Sequence, residues 1–284
     1  DLVNDGWTDI IRKLLSMMLS DEKPDLSPEA LARSLETADF LKMQEIRARV
    51  DASVRDPATA EALKPYYRQF CKRPCFHDEY LQTFNRENVT LVDTHGAGVE
   101  RITENGVVVG GKEYEVDCLI YATGFEVGTE YARRAGYELI GRNGVTLSEK
   151  WKDGVRTLHG LHIRGFPNCF MMSIAQSGFT VNFPYMINEQ AKHIAYIIER
   201  ALAQGIRSLE VSERAEAEWV DAVVRLAERT AEFGEQCTPG YYNNEGQPGE
   251  TSRQNGFYFG GPTEFVEILE AWRADGGMQG LERG

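Results

Sequence analysis

The amino-acid sequence predicts an α/β fold, and three features carry that expectation. Residues 1–70 are spaced like helices, the chain from Val89 alternates like strands punctuated by glycine, and helical periodicity returns from Ile187. Between these stretches, Asp117-Cys118-Leu119-Ile120-Tyr121-Ala122-Thr123-Gly124-Phe125 sets five apolar residues between an acid and a glycine turn. Such a run reads as a strand buried on both faces of a parallel sheet. Gly124 permits a positive φ or close backbone approach where the strand ends. Open α/β sheets gather their ligands at that carboxyl end.

Each element has a local reason. Ile10, Ile11, Leu14, Leu15 and Met18 recur at helical spacing. Ser27-Pro28-Glu29 is a helix start, with a hydroxyl cap, proline at the first position and an acid in the first turn. Asp56-Pro57 repeats the signal, and Pro65 ends that helix. So polar a helical layer suits a lid or insertion. Val89-Thr90-Leu91-Val92 reads as a short strand. Residues 101–103, 107–109 and 113–116 read as a three-stranded meander, with Asn105-Gly106 and Gly110-Gly111 supplying positive φ at the turns. Gly96-Ala97-Gly98 begins like a dinucleotide fingerprint, but Arg101 stands at the third glycine and a strand follows. It reads as a turn. Residues 168–173 look strand-like. Residues 187–204 form a helix with Ile187, Ala191, Ile194, Ile198 and Ala201 on one stripe, closed by Gly205. Ser212 caps the next, whose apolar face is Trp219, Val220, Val223, Val224 and Ala227. A loop at 239–249 and a helix near 263–273 complete the chain.

Composition narrows the function. The 284 residues are 42% hydrophobic, enough for a core, and the net charge of −13 argues against nucleic acid or an anionic membrane as the main partner. No apolar run approaches the roughly 18 residues of a membrane helix, and no basic-then-apolar leader opens the sequence. The first residue is Asp1, not methionine, which suggests that a longer chain continues upstream. Five scattered cysteines fit reduced thiols in a cytoplasmic protein. Cys71, Cys75 and His77 lack a second ligand pair, so no metal site is expected.

Several stretches together carry a family likeness. They are Lys72-Arg73-Pro74, 78–86 (Asp78 to Arg86), 88–93, Ala122-Thr123-Gly124-Phe125, 151–160, Gly165-Phe166-Pro167-Asn168, Glu189-Gln190 and 237–246, which includes Tyr241-Tyr242-Asn243-Asn244. With them the sequence resembles the carboxyl-terminal half of a Baeyer–Villiger monooxygenase, in the branch that accepts large cyclic or aryl ketones. The likeness covers nearly the whole chain, least over 1–40.

The resemblance implies a two-dinucleotide-binding-domain flavoprotein with Rossmann-like FAD and NADP domains, here incomplete, and a helical insertion. Residues 1–71 would be the helical insertion or lid of the NADP domain, 72–121 the second part of that domain with its meander, and 122–284 the carboxyl-terminal part of the FAD domain. The fingerprints that bind the two phosphate backbones would lie upstream, in an amino-terminal half that this piece would need as its partner. The implied reaction takes a ketone, O₂, NADPH and FAD: NADPH reduces the flavin, O₂ forms a C4a-peroxyflavin, and oxygen inserts beside the carbonyl to give an ester or lactone. Arg73 takes the family's catalytic position, where a permanent cation with a donor fork suits an anion in a dry site. Lys72 would contact the 2′-phosphate of NADP. Ala122, Thr123 and Gly124 would lie where the two nucleotide domains cross, and Gln176, Asn182, Phe183 and Tyr241 beside a cofactor. Phe179, Thr180 and Val181 would line the substrate pocket. Two alternatives stay open: a flavin monooxygenase acting on nitrogen or sulfur, and a catalytically silent module.

Overall fold

In the computed structural model, which describes residues 5–18, 27–124, 131–228, 231–240, 243, 246 and 251–284, capping chemistry decides where the helices of the first unit, Asp1–Phe125, begin. Helix α1 (Gly6–Met18) starts where Asp5 accepts from the Thr8 amide at 2.8 Å. Helix α2 (Pro28–Ser53) is capped by Ser27, which accepts from Ala30, and α3 (Pro57–Leu63) by Asp56, which accepts from Thr59 at 2.8 Å. Ion pairs Lys42–Asp9 and Lys13–Glu45 tie α1 to α2. Val50, Val54 and Ala60 are buried with Leu63, Leu81 and Phe84 packed around them, the last two in or beside the short helix α4 (Tyr80–Thr83).

The meander forms as expected. Strands β1 (Arg101–Ile102), β2 (Gly106–Val109) and β3 (Lys112–Glu115) pair antiparallel in that order. Gly110 and Gly111 both take positive φ at the second turn. The first turn works differently. The Thr103 hydroxyl accepts from the Asn105 and Gly106 amides, and Gly106 lies inside β2 with extended pairing to Glu115. Glycine is required there by space, since a Cβ would sit 1.9 Å from the Tyr114 carbonyl oxygen. Gly96 and Gly98, both at positive φ, form a turn into β1 and open no helix.

Two expected strands are not formed. Residues 89–92 and 118–122 are irregular, and in the second run Ile120 is 82% and Tyr121 68% exposed. A strand buried in a parallel sheet needs a neighbour on each side, and among the described residues no strand lies beside either run. Apolar composition therefore marks a burial that this chain alone does not supply. The described sheets are antiparallel throughout.

In the second unit, Glu126–Gly284, the central helix is α7 (Phe183–Ala203), preceded by α5 (Tyr131–Ala135) and α6 (Leu147–Lys150). Strand β4 (Leu209–Val211) leads into α8 (Glu213–Glu228), where Ser212 accepts from Ala215. After α9 (Ala231–Gln236) and α10 (Ser252–Asn255), α11 (Pro262–Asp275) packs on α7, and β5 (Leu281–Arg283) pairs antiparallel with β4. Residues 168–173 make only an isolated bridge, His162 to Phe170. The core joins Met186, Ile197, Trp219, Val223, Phe265 and Leu269.

Helix α7 is turned from its expected orientation. Its buried residues are Met186, Glu189, Gln190, His193 and Ile197, whereas Ile198 is 43% exposed. Gln190 holds its place on the inner face by donating to the Ser173 carbonyl and the Ser177 hydroxyl. Glu216, buried on α8, is met by Lys150 at 2.9 Å, Arg156 at 3.2 Å and the Arg164 amide at 3.2 Å. Cys75, Cys118 and Cys169 carry free thiols, while Cys71 and Cys237 do not, which narrows the expectation of five reduced thiols to three. No described helix is long and apolar enough to cross a membrane.

Three histidines are sealed into this unit. The His159 ring stands 5.5 Å from that of His193 and 4.9 Å from Trp219, and His162 packs on Phe170. Burial holds them neutral, with pKa values of about 3, 4 and 2 for His159, His162 and His193 against an ordinary 6.5. The unfolded chain takes up protons below pH 6.5 and the folded one does not. Stability from this source is therefore complete above pH 6.5 and lost as pH falls toward 4. Each group contributes about 1.4 kcal/mol per pH unit in that window. Between pH 7 and 5.5 the second unit should lose about 4 kcal/mol and its Tm should fall by about 10 °C. Thermal melts across that range check this, and His162→Phe should flatten the slope by about a third. A level Tm between pH 7 and 5 would refute it.

Candidate functional site

The expected site residues fall into two sets, one in each unit. In the first, Lys72 is half-buried and Arg73 exposed, with the Arg73 guanidinium 6.0 Å from the centre of the Trp7 ring. That ring restrains the cation without neutralising it. Ala122, Thr123 and Gly124 are exposed at the far end of the apolar run, and Gly124 takes φ +93 with open space around its Cα.

In the second unit a loop rises from Gln176 and enters α7. Thr180 and Phe179 are half-buried, Val181 and Asn182 exposed, and Phe183 half-buried at the first turn. Asn182 is the N-cap, accepting from the Tyr185 amide through its main-chain oxygen at 3.1 Å and its side chain at 3.4 Å. The helix behind it runs for 21 residues and has no acid in its first turn. Its amino end therefore offers an uncompensated positive dipole to an electron-rich group. Tyr241 lies outside the described residues.

Gln176 does not fit the cofactor contact expected of it. The residue is fully buried, and its amide is consumed inside the protein. Oε1 accepts from the Thr157 amide at 3.0 Å and the Thr157 hydroxyl at 2.6 Å. Nε2 donates to the carbonyls of Val155 at 2.6 Å and Gln254 at 3.0 Å. The main chain does the same: its N–H donates to Gly256, and its carbonyl accepts from the Trp219 indole at 3.0 Å. Both lone pairs and both protons of the amide are used. Gln176 fixes the base of the loop, with its whole side-chain amide bonded inside the protein.

Two residues the sequence reading passed over lie beside this loop. Phe257 lies 4.8 Å from Phe179, ring centre to ring centre, and 4.2 Å from Phe259. The signal was available: three consecutive aromatic residues, Phe257-Tyr258-Phe259, stand between Gly256 and Gly260, and successive side chains of an extended segment point to opposite sides. His159 and His162, set aside as non-catalytic, are buried in the core.

No family model matches the chain. Curated proteins and solved structures do. A pentalenolactone D synthase of Streptomyces exfoliatus is 55% identical over 284 residues, which are 99% of this chain and 49% of that protein. A Baeyer–Villiger monooxygenase of Stachybotrys chlorohalonatus is 46% identical over 282 residues, 99% of this chain and 45% of its own length. The structure of a polycyclic ketone monooxygenase from Thermothelomyces thermophila superposes with a TM-score of 0.83 at 31% identity, covering 99% of this chain and 51% of that one. The chain thus spans about half the length of the curated relatives it matches.

Replacing Gln176 with alanine tests the base of the loop. The buried Thr157 amide and hydroxyl would lose the acceptor they share, at a cost of about 3 kcal/mol to the second unit. Urea unfolding followed by the fluorescence of Trp219, whose indole bonds the same residue, should show that loss. A cost below about 1 kcal/mol would mean that the loop holds its place without the amide.

Proposed function

Because the chain belongs to the Baeyer–Villiger monooxygenase family, we propose that it is the carboxyl-terminal part of an NADPH- and O₂-dependent flavoprotein that inserts oxygen beside a ketone carbonyl, giving an ester or lactone. The observation that carries this reading is sequence identity of 55% over 99% of the chain. The name of one solved relative, a polycyclic ketone monooxygenase, points to a bulky ketone as substrate.

The residues present fit FAD and NADP, the pair carried by solved relatives of this chain. The amino end of α7, free of acids, suits the electron-rich pyrimidine edge of a flavin, held by the backbone of Asn182 and Phe183. Exposed Ala122, Thr123 and Gly124 leave room for a nucleotide to pass. Lys72 offers a compact ammonium to a 2′-phosphate. When bound, the flavin supplies the activation of O₂ that no amino-acid side chain can perform. The protein's part is to orient, to exclude water and to place charge. The Trp7 ring beside Arg73 limits where its donor fork can point. Phe179, Thr180 and Val181 offer apolar surface against which a ketone can be held.

The Arg73 role separates carbonyl oxidation from the oxidation of soft nitrogen or sulfur, which needs no retained anion. In the intact protein, Arg73→Ala should lower ester formation by about 10²–10³-fold while NADPH still bleaches the flavin. An unchanged ester yield would remove Arg73 from the mechanism.

The exposed run at 119–121 favours one further statement: the 284-residue chain alone is catalytically silent. Purified by itself it should show no flavin absorbance and consume no NADPH. A yellow preparation that oxidises NADPH would overturn that.

A further inference from the structure

We infer that Trp7 is a positioning residue for Arg73, holding the guanidinium through its ring and so fixing the direction in which the donor fork is presented. The inference rests on the proposed role of Arg73 in ketone oxidation and gives a task to α1, a helix that holds none of the expected site residues.

Arg73 is held in two ways. Its main chain is pinned locally: Pro74 restricts the residue before it to extended conformations, and the Cys75 thiol donates across that proline to the Arg73 carbonyl at 3.6 Å. Its side chain is held from far upstream, by the Trp7 ring, whose centre lies 6.0 Å from the guanidinium carbon. A carboxylate partner would cancel the charge and take up N–H donors. An aromatic ring attracts the cation and does neither. Trp7 is itself fixed. It stands in the first turn of α1, whose start is capped by Asp5 and whose next turns are tied to α2 by the Lys42–Asp9 and Lys13–Glu45 pairs. The Phe76 ring packs edge-on against it, with centres 5.5 Å apart and planes at 66°. Phe76 reaches that place because residue 6 is glycine, since a Cβ there would lie 2.2 Å from the Phe76 ring. Residues 5–7 and 73–76 therefore close on each other as one bracket, and a shift of α1 carries the cation with it.

The test is made on the intact enzyme with Trp7→Leu, which keeps apolar bulk and removes the ring, and Trp7→Phe, which keeps a ring. Trp7→Leu should lower kcat for ester formation by about fivefold, with the KM for ketone unchanged and NADPH-driven flavin reduction at the wild-type rate. Trp7→Phe should restore most of that loss. In an Arg73→Ala background, Trp7→Leu should lower ester formation no further, because the residue it positions is gone. Phe76→Leu, which removes the edge-on support, should give a drop in the same direction and supplies the reading where Trp7→Leu fails to fold. In the 284-residue chain the Arg73 Nε–H resonance, identified by its loss in Arg73→Ala, should move on Trp7→Leu, a readout independent of catalysis. Wild-type enzyme that makes no ester, or an Arg73→Ala variant that makes as much as wild type, sinks the functional reading and this inference with it. Active wild type with ester formation untouched by Trp7→Leu, or lowered as much with Arg73→Ala as without it, or an Arg73 resonance that stays in place, sinks the bracket alone.

Discussion

A single buried amide holds the second unit's loops in register. Gln176 is the residue at which the 155–157 stretch, the 254–256 stretch and α8 all meet, through its four side-chain bonds and two main-chain ones. The demands on it are chemical. Two donors and two acceptors must leave one planar group in opposite directions, which glutamine supplies and glutamate or methionine does not. The backbone accepts φ +55 to bring the amide there, an uncommon conformation for a residue with a side chain. Gly160 belongs to the same constraint: a Cβ on it would lie 2.6 Å from that of Ser177, so the 157–160 turn presses directly on the loop. The rise from Gln176 to the cap at Asn182 begins from this fixed floor.

The core around that floor is more polar than its composition suggests. Glu216 is buried and matched by one lysine, one arginine and a backbone amide. Such a cluster adds little net stability over an apolar equivalent, yet loss of one partner strands the other charges. Its use is in position: it draws α6, the 156–164 stretch and α8 to one point. Gln190 does the same for α7 by reaching Ser173 and Ser177.

What the sequence made legible was local. Ser27, Asp56 and Ser212 cap helices because a cap needs only its own next three residues, and Gly110-Gly111 turns a hairpin for the same reason. Expectations failed wherever a distant partner decides. The run at 118–122 has the composition of a buried strand, but composition does not supply neighbouring strands. The stripe on α7 was misplaced because hydrophobic spacing ignores hydrogen-bond partners lying elsewhere in the chain. Strands β4 and β5 are three residues each and pair Leu209 with Arg283, beyond the reach of any local pattern. The candidate site shows the same division. The likeness named Phe179 and Gln176, but only the fold revealed that one carries a surface and the other is spent inside.

The bonds that lock this floor span long stretches of sequence. Val155 joins Asn255 across 100 residues and Gln254 across 99, and Gln176 reaches Gln254 across 78. Closing loops of that length costs entropy before any contact repays it, so this part of the fold assembles late and slowly. During synthesis the 155–176 stretch leaves the ribosome well before α10, and one Nε2 proton of Gln176 must wait for the Gln254 carbonyl that completes its set. A chain halted before residue 252 would hold most of its helices and the Thr157, Val155 and Trp219 bonds of Gln176, but none of those that reach 254–256.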